Sequence, residues 1–153
     1  MLRLTKKADY GLIALSHLAA GGHHHGASAK EISDAHGIPL SLLAKVLQKL
    51  ARNGLLASVQ GTNGGYRLAR QADSISVFEV VRAIDGPAVL RSCFTEEKCC
   101  HHTTRCTVRE PLRRVHEGIM DLLAGISISD LAAEGRHRPT AIAAGTLRVL
   151  HGL

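Results

Sequence analysis

The stretch that most constrains this chain lies between Ser28 and Ala69, where the apolar period switches from helical to alternating across a series of glycine stops. Ser28-Ala29-Lys30-Glu31 has the pattern of a capping box. In such a box the serine hydroxyl and the glutamate carboxylate each satisfy an amide that the first helical turn leaves unpaired. Ala29, Ile32 and Ala35 give that short helix its apolar side, and Gly37 ends it. Ile38-Pro39 leads into a second helix running to about Asn53, with Pro39 near the first turn, where a missing N–H costs nothing. Leu42, Leu43, Val46, Leu47 and Leu50 form its buried stripe, and Ser41, Lys45, Gln48, Lys49 and Arg52 fall outside it. After Gly54, residues 55–60 have strand character, Gly61-Thr62-Asn63-Gly64-Gly65 is a strong turn signal, and residues 66–69 return as a second strand. Two helices joined by a short glycine turn are a weak pattern alone. A β-hairpin directly after them is the layout of a winged helix.

The flanks are helical. Residues 7–20 carry Leu12, Ile13, Leu15, Leu18 and Ala19 at helical spacing, and Gly21-Gly22 stops them. His23, His24 and His25 follow in a glycine-flanked segment that reads as a solvated loop. Ile75, Val77, Val80, Val81 and Ile84 mark another short helix, ended near Gly86-Pro87. Pro111 opens a long helix with Leu112, Val115, Ile119, Leu122 and Leu123 on one face. Attached only through a loop, that face needs a partner surface. A dimer interface is the favoured expectation, and packing within one chain is the alternative. The expected fold is therefore mainly α with a small β-hairpin wing: a winged helix-turn-helix plus a long C-terminal dimerisation helix. The expected divisions are a DNA-binding unit at 1–86, a cysteine-rich loop at 87–107, the dimerisation helix and its end at 108–131, and a tail at 132–153.

Charge and patterning narrow the function classes. The formal net charge of +6 favours a polyanionic partner. No run of eighteen apolar residues suggests a membrane span, and the basic opening lacks the small-residue cleavage site of a secretory signal, so a cytoplasmic location is expected. No nucleotide loop or acid–base set suggests an enzyme. A helix entering the major groove needs small or polar residues near its start, and Ser41, Ala44 and Lys45 stand there. Lys45, Lys49 and Arg52 are placed to meet phosphates. In the wing, Gln60, Asn63 and Arg67 are the candidate contacts, with glycines that let the backbone lie close to the duplex.

Cys93, Cys99, Cys100 and Cys106 all fall within fourteen positions. With no export signal, such a cluster suits metal binding or redox chemistry better than structural disulfides. Soft thiolates this dense suit zinc or an iron–sulfur cluster. Structural zinc sites usually pair their ligands two residues apart, and that spacing is missing here, whereas wider gaps suit a loop wrapped around a larger inorganic group. Arg91, Lys98, Arg105 and Arg109 flank the thiols and would offset a cluster's negative charge. His101 and His102 are further candidate ligands. Zinc and a metal-free disulfide switch stand as the alternatives.

Taken together, these residues resemble the Rrf-type family of winged-helix iron–sulfur transcriptional regulators, the IscR, NsrR and RirA group. The matching motifs span about residues 2–131. They are Leu2-Arg3-Leu4-Thr5-Lys6 with Asp9-Tyr10, the run Leu42-Leu43-Ala44-Lys45-Val46-Leu47, Leu50 with Gly54-Leu55, and Gly64-Gly65-Tyr66-Arg67-Leu68. Ile75-Ser76-Val77, Glu79-Val80-Val81, the cysteines and Ile128-Ser129-Asp130-Leu131 complete them. The resemblance implies a winged-helix homodimer that controls transcription through a 2Fe-2S or 4Fe-4S cluster held by three cysteines and a variable fourth ligand. Five residues usually separate the family's second and third cysteines, which selects Cys93, Cys100 and Cys106 and leaves Cys99 as a spare or alternative ligand. In some relatives a carboxylate near the partner subunit's N-terminus completes the set, and Asp9 stands at that position, with His101 and His102 as competitors. Many relatives carry arginine just before the wing glycine, where this chain has Gln60. The implied function is a repressor responding to iron–sulfur status, nitric oxide or oxidative stress. The alternative is a zinc- or thiol-dependent DNA-binding regulator without iron.

Overall fold

The computed structural model describes residues 4–22, 26–61, 64–87 and 105–135. In chain order the elements are α1 (Lys6–Ala20), α2 (Ala29–His36), α3 (Leu40–Arg52), β1 (Leu56–Val59), β2 (Gly65–Leu68), a single 3-10 turn (Ala72–Ser74), α4 (Val77–Asp85), α5 (Arg109–Gly125) and α6 (Ile128–Glu134). The expected capping box is present. The Ser28 hydroxyl accepts from the Glu31 amide at 3.1 Å, and the Ser28 amide donates to the Glu31 carboxylate at 2.6 Å. Gly37 closes α2 in the left-handed region at φ 63°, where a β-carbon would be strained.

One aliphatic core joins nearly every element. Leu15 and Leu18 of α1, Ile32 of α2, Leu43, Leu47 and Leu50 of α3, and Val80 of α4 are all fully buried in it, and Leu56 and Leu68 bring in the hairpin. Tyr10 and Tyr66 only flank this cluster, as expected from a chain with 3% aromatic residues. β1 and β2 pair antiparallel, with Leu56 opposite Leu68 and Val59 opposite Gly65. A backbone bridge then ties the wing to the entrance of α2: the Ala27 amide donates to the Tyr66 carbonyl at 3.0 Å and the reverse bond is 2.9 Å.

The chain after α5 folds back into the same core. Ile128 is fully buried there and Leu131 packs against it. A second bridge holds this return: the Val77 amide donates to the Ile126 carbonyl and the Ile128 amide to the Ile75 carbonyl, both at 2.9 Å. The starts of α4 and α6 thus lie side by side, each closed by its own capping box, Ser76 with Glu79 and Ser127 with Asp130. The 108–131 stretch expected as one helix and its end is two helices, the second packed on α1.

The exception to this packing is α5, which among the described residues contacts chiefly α4 and buries none of its own. Val108, Leu112, Val115, Ile119, Leu122 and Ile126 recur along it at alternating steps of four and three. That is the heptad spacing of a helix prepared for a second helix. Val115 and Leu122 remain 53% and 70% exposed, far from the usual state of such side chains.

Candidate nucleic-acid interface and cysteine centre

The exposed face of α3 is set by its period. Leu43, Val46, Leu47 and Leu50 turn inward, so Ser41, Lys45, Gln48 and Arg52 face solvent on the other side, with Ala44 half-buried between. Pro39 caps α3 without a side-chain acceptor, so the first amides of the helix keep no side-chain partner. Positive dipole and free amides at a helix start suit a phosphate. The turn before α3 is rigid: the buried Ser33 hydroxyl donates to the Ile38 carbonyl at 2.6 Å, fixing α2 against the entrance of α3.

Gln60 and Arg67 are exposed in the wing, and Arg67 pairs in register with Ala57. Asn63 lies outside the described residues. The hairpin's exit is anchored by Arg70, which donates to the Glu79 carboxylate at 2.8 Å and to the Ser74 carbonyl at 3.1 Å. Among the described residues, Lys45, Arg52 and Arg67 enter no ion pair, so their charge is offered outward. Lys49 is placed differently from its neighbours: its ammonium donates to the Ile84 carbonyl at the end of α4, at 2.7 Å.

Electrostatics at the helix starts follow from capping. Glu79 is held below the ordinary carboxylate range by the Ser76 backbone amide first, against an opposing cost of burial, with Arg70 adding to the lowering. Asp130 is lowered in the same way by the Ser127 amide and hydroxyl. On α5, Arg113 bridges Glu110 and Glu117 and holds Glu110 low.

Of the sulfur ligands, Cys106 is described: it is half-buried and stands three residues before α5. Cys93, Cys99, Cys100, His101 and His102 lie outside the described residues. Asp9 is exposed on the first turn of α1 and lines a groove of about 600 Å³ between α1 and α6, together with Ile13, Leu131 and Ala132. Among the described residues no three His, Cys, Asp or Glu side chains come together as a metal site. Of the proposed ligands, Asp9 and Cys106 alone fall among the described residues. The donor chemistry does fit an iron–sulfur group: a thiol set between the exit of α4 and the start of α5, with exposed Arg105 and Arg109 beside Cys106. Not foreseen from the sequence are the Lys49–Ile84 bond and the Ser76 and Ser127 caps; the serine-x-x-acid spacing of both caps was visible, but the lysine bond depends on tertiary packing.

The profile of the Rrf2 family, described as an iron-dependent transcriptional regulator, matches residues 4–134. The chain belongs to the Rrf2 family. The HTH-type transcriptional regulator IscR of Erwinia tasmaniensis is 35% identical over 130 residues, covering 85% of this chain and 78% of that protein. The solved structure of CymR, the global cysteine regulator of B. subtilis, superposes with a TM-score of 0.72 at 25% identity, covering 88% of this chain and 98% of that one. IscR of T. potens shares the fold with a TM-score of 0.68 at 23% identity, covering 92% and 94% of the two chains. This Rrf2 chain is an IscR-like transcriptional regulator with the winged-helix architecture, and its homologues are regulators rather than enzymes. Membership implies DNA binding, and no helix among the described residues is long and apolar enough to cross a membrane.

Proposed function

We propose that this Rrf2 chain is a cytoplasmic, homodimeric repressor whose grip on an operator depends on an iron–sulfur cluster. The observation that carries this reading is the position of the thiols. Four cysteines occupy the segment between a helix packed on α3 and a helix that, among the described residues, buries none of its apolar side chains. A change of conformation in that segment acts on both the reader and the dimer. The family's description as iron-dependent and the likeness to IscR support iron over zinc.

Cys93, Cys100 and Cys106 would hold the cluster, 2Fe-2S or 4Fe-4S, with Cys99 spare. Asp9 of the second copy is the proposed fourth ligand, and His101 and His102 are its competitors. When bound, the cluster supplies a redox-active, nitric-oxide-sensitive centre. The protein's own part is mechanical. Pairing of α5 with a second α5 sets the separation of two recognition helices, and that separation must match half-sites about one helical turn apart. Ser41, Ala44 and Lys45 would meet base edges and phosphates in the major groove, and Gln60, Asn63 and Arg67 would follow the adjacent backbone or minor groove.

A second reading, a thiol- or zinc-based regulator without iron, is favoured by the likeness to the cysteine regulator CymR. Anaerobic isolation with iron, sulfide and zinc analysis separates the two. The cluster reading expects stoichiometric iron and sulfide and a visible chromophore, lost in Cys93→Ala, Cys100→Ala and Cys106→Ala and largely kept in Cys99→Ala. Colourless protein with neither iron nor sulfide overturns it, and stoichiometric zinc in that protein establishes the second.

A further inference from the structure

The last turn of α4 is clasped from two sides. Ile84 fills the notch left by Gly11 of α1, where a β-carbon would collide with its Cδ1. Its carbonyl accepts from Lys49 Nζ of α3 at 2.7 Å. The next residue, Asp85, accepts from the Thr5 hydroxyl at 2.6 Å and from the Thr5 amide at 3.3 Å. Thr5 in turn caps α1 by accepting from the Ala8 amide. Immediately beyond, Gly86-Pro87 leads into the segment that carries Cys93, Cys99 and Cys100. The root of the cysteine segment is thus held by the recognition helix on one side and by the start of α1 on the other.

The chemistry of the clasp is lopsided in a useful way. The carbonyls of a helix's last turn have no intrahelical donor and carry the negative end of its dipole, so a cation there is favoured. That preference lasts only while the last turn keeps its shape. If residues 84–85 unwind, the carbonyl turns away and nothing else in the clasp holds Lys49.

We propose that Lys49 is a positioning residue that couples the cysteine segment to the recognition helix through the Ile84 carbonyl, and is not a phosphate ligand. This inference goes beyond the cluster-sensing reading and rests on it for its first test. In that test, operator affinity of cluster-loaded and cluster-free protein is measured across salt concentrations for wild type, Lys49→Met and Lys49→Arg. The proposal expects Lys49→Met to bring the ratio of the two affinities within about twofold of one, to leave the salt slope unchanged, and Lys49→Arg to restore the ratio. A uniform loss in both states, with the salt slope reduced by about one, marks a phosphate contact and overturns the proposal.

The second test needs no cluster. Amide exchange of the peptide covering residues 80–87 is followed in cluster-free protein with and without operator duplex. Operator should slow exchange there in wild type and in Lys49→Arg, and not in Lys49→Met; the same protection in all three overturns the coupling. Should wild type bind operator equally with and without cluster, the sensing reading fails, and the exchange result still decides the role of Lys49.

Discussion

Gly65 occupies a place where no side chain fits, because a β-carbon there would run into the carbonyl of Ala27 across the bridge that ties the wing to α2. A backbone atom cannot swing aside as a side-chain tip can. Gly65→Ala is expected to destabilise the fold by about 1–3 kcal/mol, as overpacking does, and to weaken operator binding by shifting the wing. Denaturant unfolding checks the first effect and an operator titration the second. Glu79 gives a pH-dependent counterpart. Its carboxyl is depressed in the folded protein, so the stability it contributes is present above the ordinary carboxylate value of 4.5 and is lost as pH falls through the lower folded value. Glu79→Gln should cost about 1 kcal/mol or less at neutral pH, since the Arg70 pair is 43% and 40% exposed, and should flatten the acid side of a Tm-against-pH curve. At this scale the sequence was legible where spacing alone decides. Ser28 and Glu31 formed the expected box, and Ser41, Lys45, Gln48 and Arg52 face outward as their period requires. It was not legible where a distant element decides. Ala35, assigned to the apolar side of α2, is exposed, while Ser33 is buried because its hydroxyl finds the Ile38 carbonyl.

Helices α3 and α5 show how one kind of pattern serves two ends. In both, apolar residues recur on one face, but α3 lays its stripe into the core, whereas among the described residues α5 buries none of its own. Six apolar positions on a repeat of 3.5 residues describe a seam for a second helix, and each half-exposed side chain that the seam covers contributes roughly 1 kcal/mol. Leu122→Asp should therefore convert a dimer to a monomer in sedimentation equilibrium while leaving helix content unchanged, because Leu122 is 70% exposed. A dimer that survives this substitution would place the interface elsewhere. The long helix and the hairpin were readable from period and glycines. Helix α6 was not separated from α5, since seven residues give too short a period, and its burial depends on α1 and the 3-10 turn, more than forty positions away.

Across the whole molecule, the chain after α5 returns to the N-terminal core, so α5 is anchored at its C-terminal end. The start of α5 follows Cys106, and its end leads through Ile126 into the bridge beside α4. A movement of the end of α5 is therefore felt at the starts of α4 and α6. The winged-helix layout, the family and the density of thiols could all be read from the residues; the bond from Lys49 to the Ile84 carbonyl could not, because it depends on packing between distant elements. The central claim is that the state of the cysteine segment governs operator affinity. It is tested most directly by titrating one operator duplex, under anaerobic conditions and at fixed salt, with cluster-loaded and cluster-free protein. The account predicts dissociation constants differing by about tenfold or more, a coupling of roughly 1–3 kcal/mol. Equal constants in the two states would contradict it.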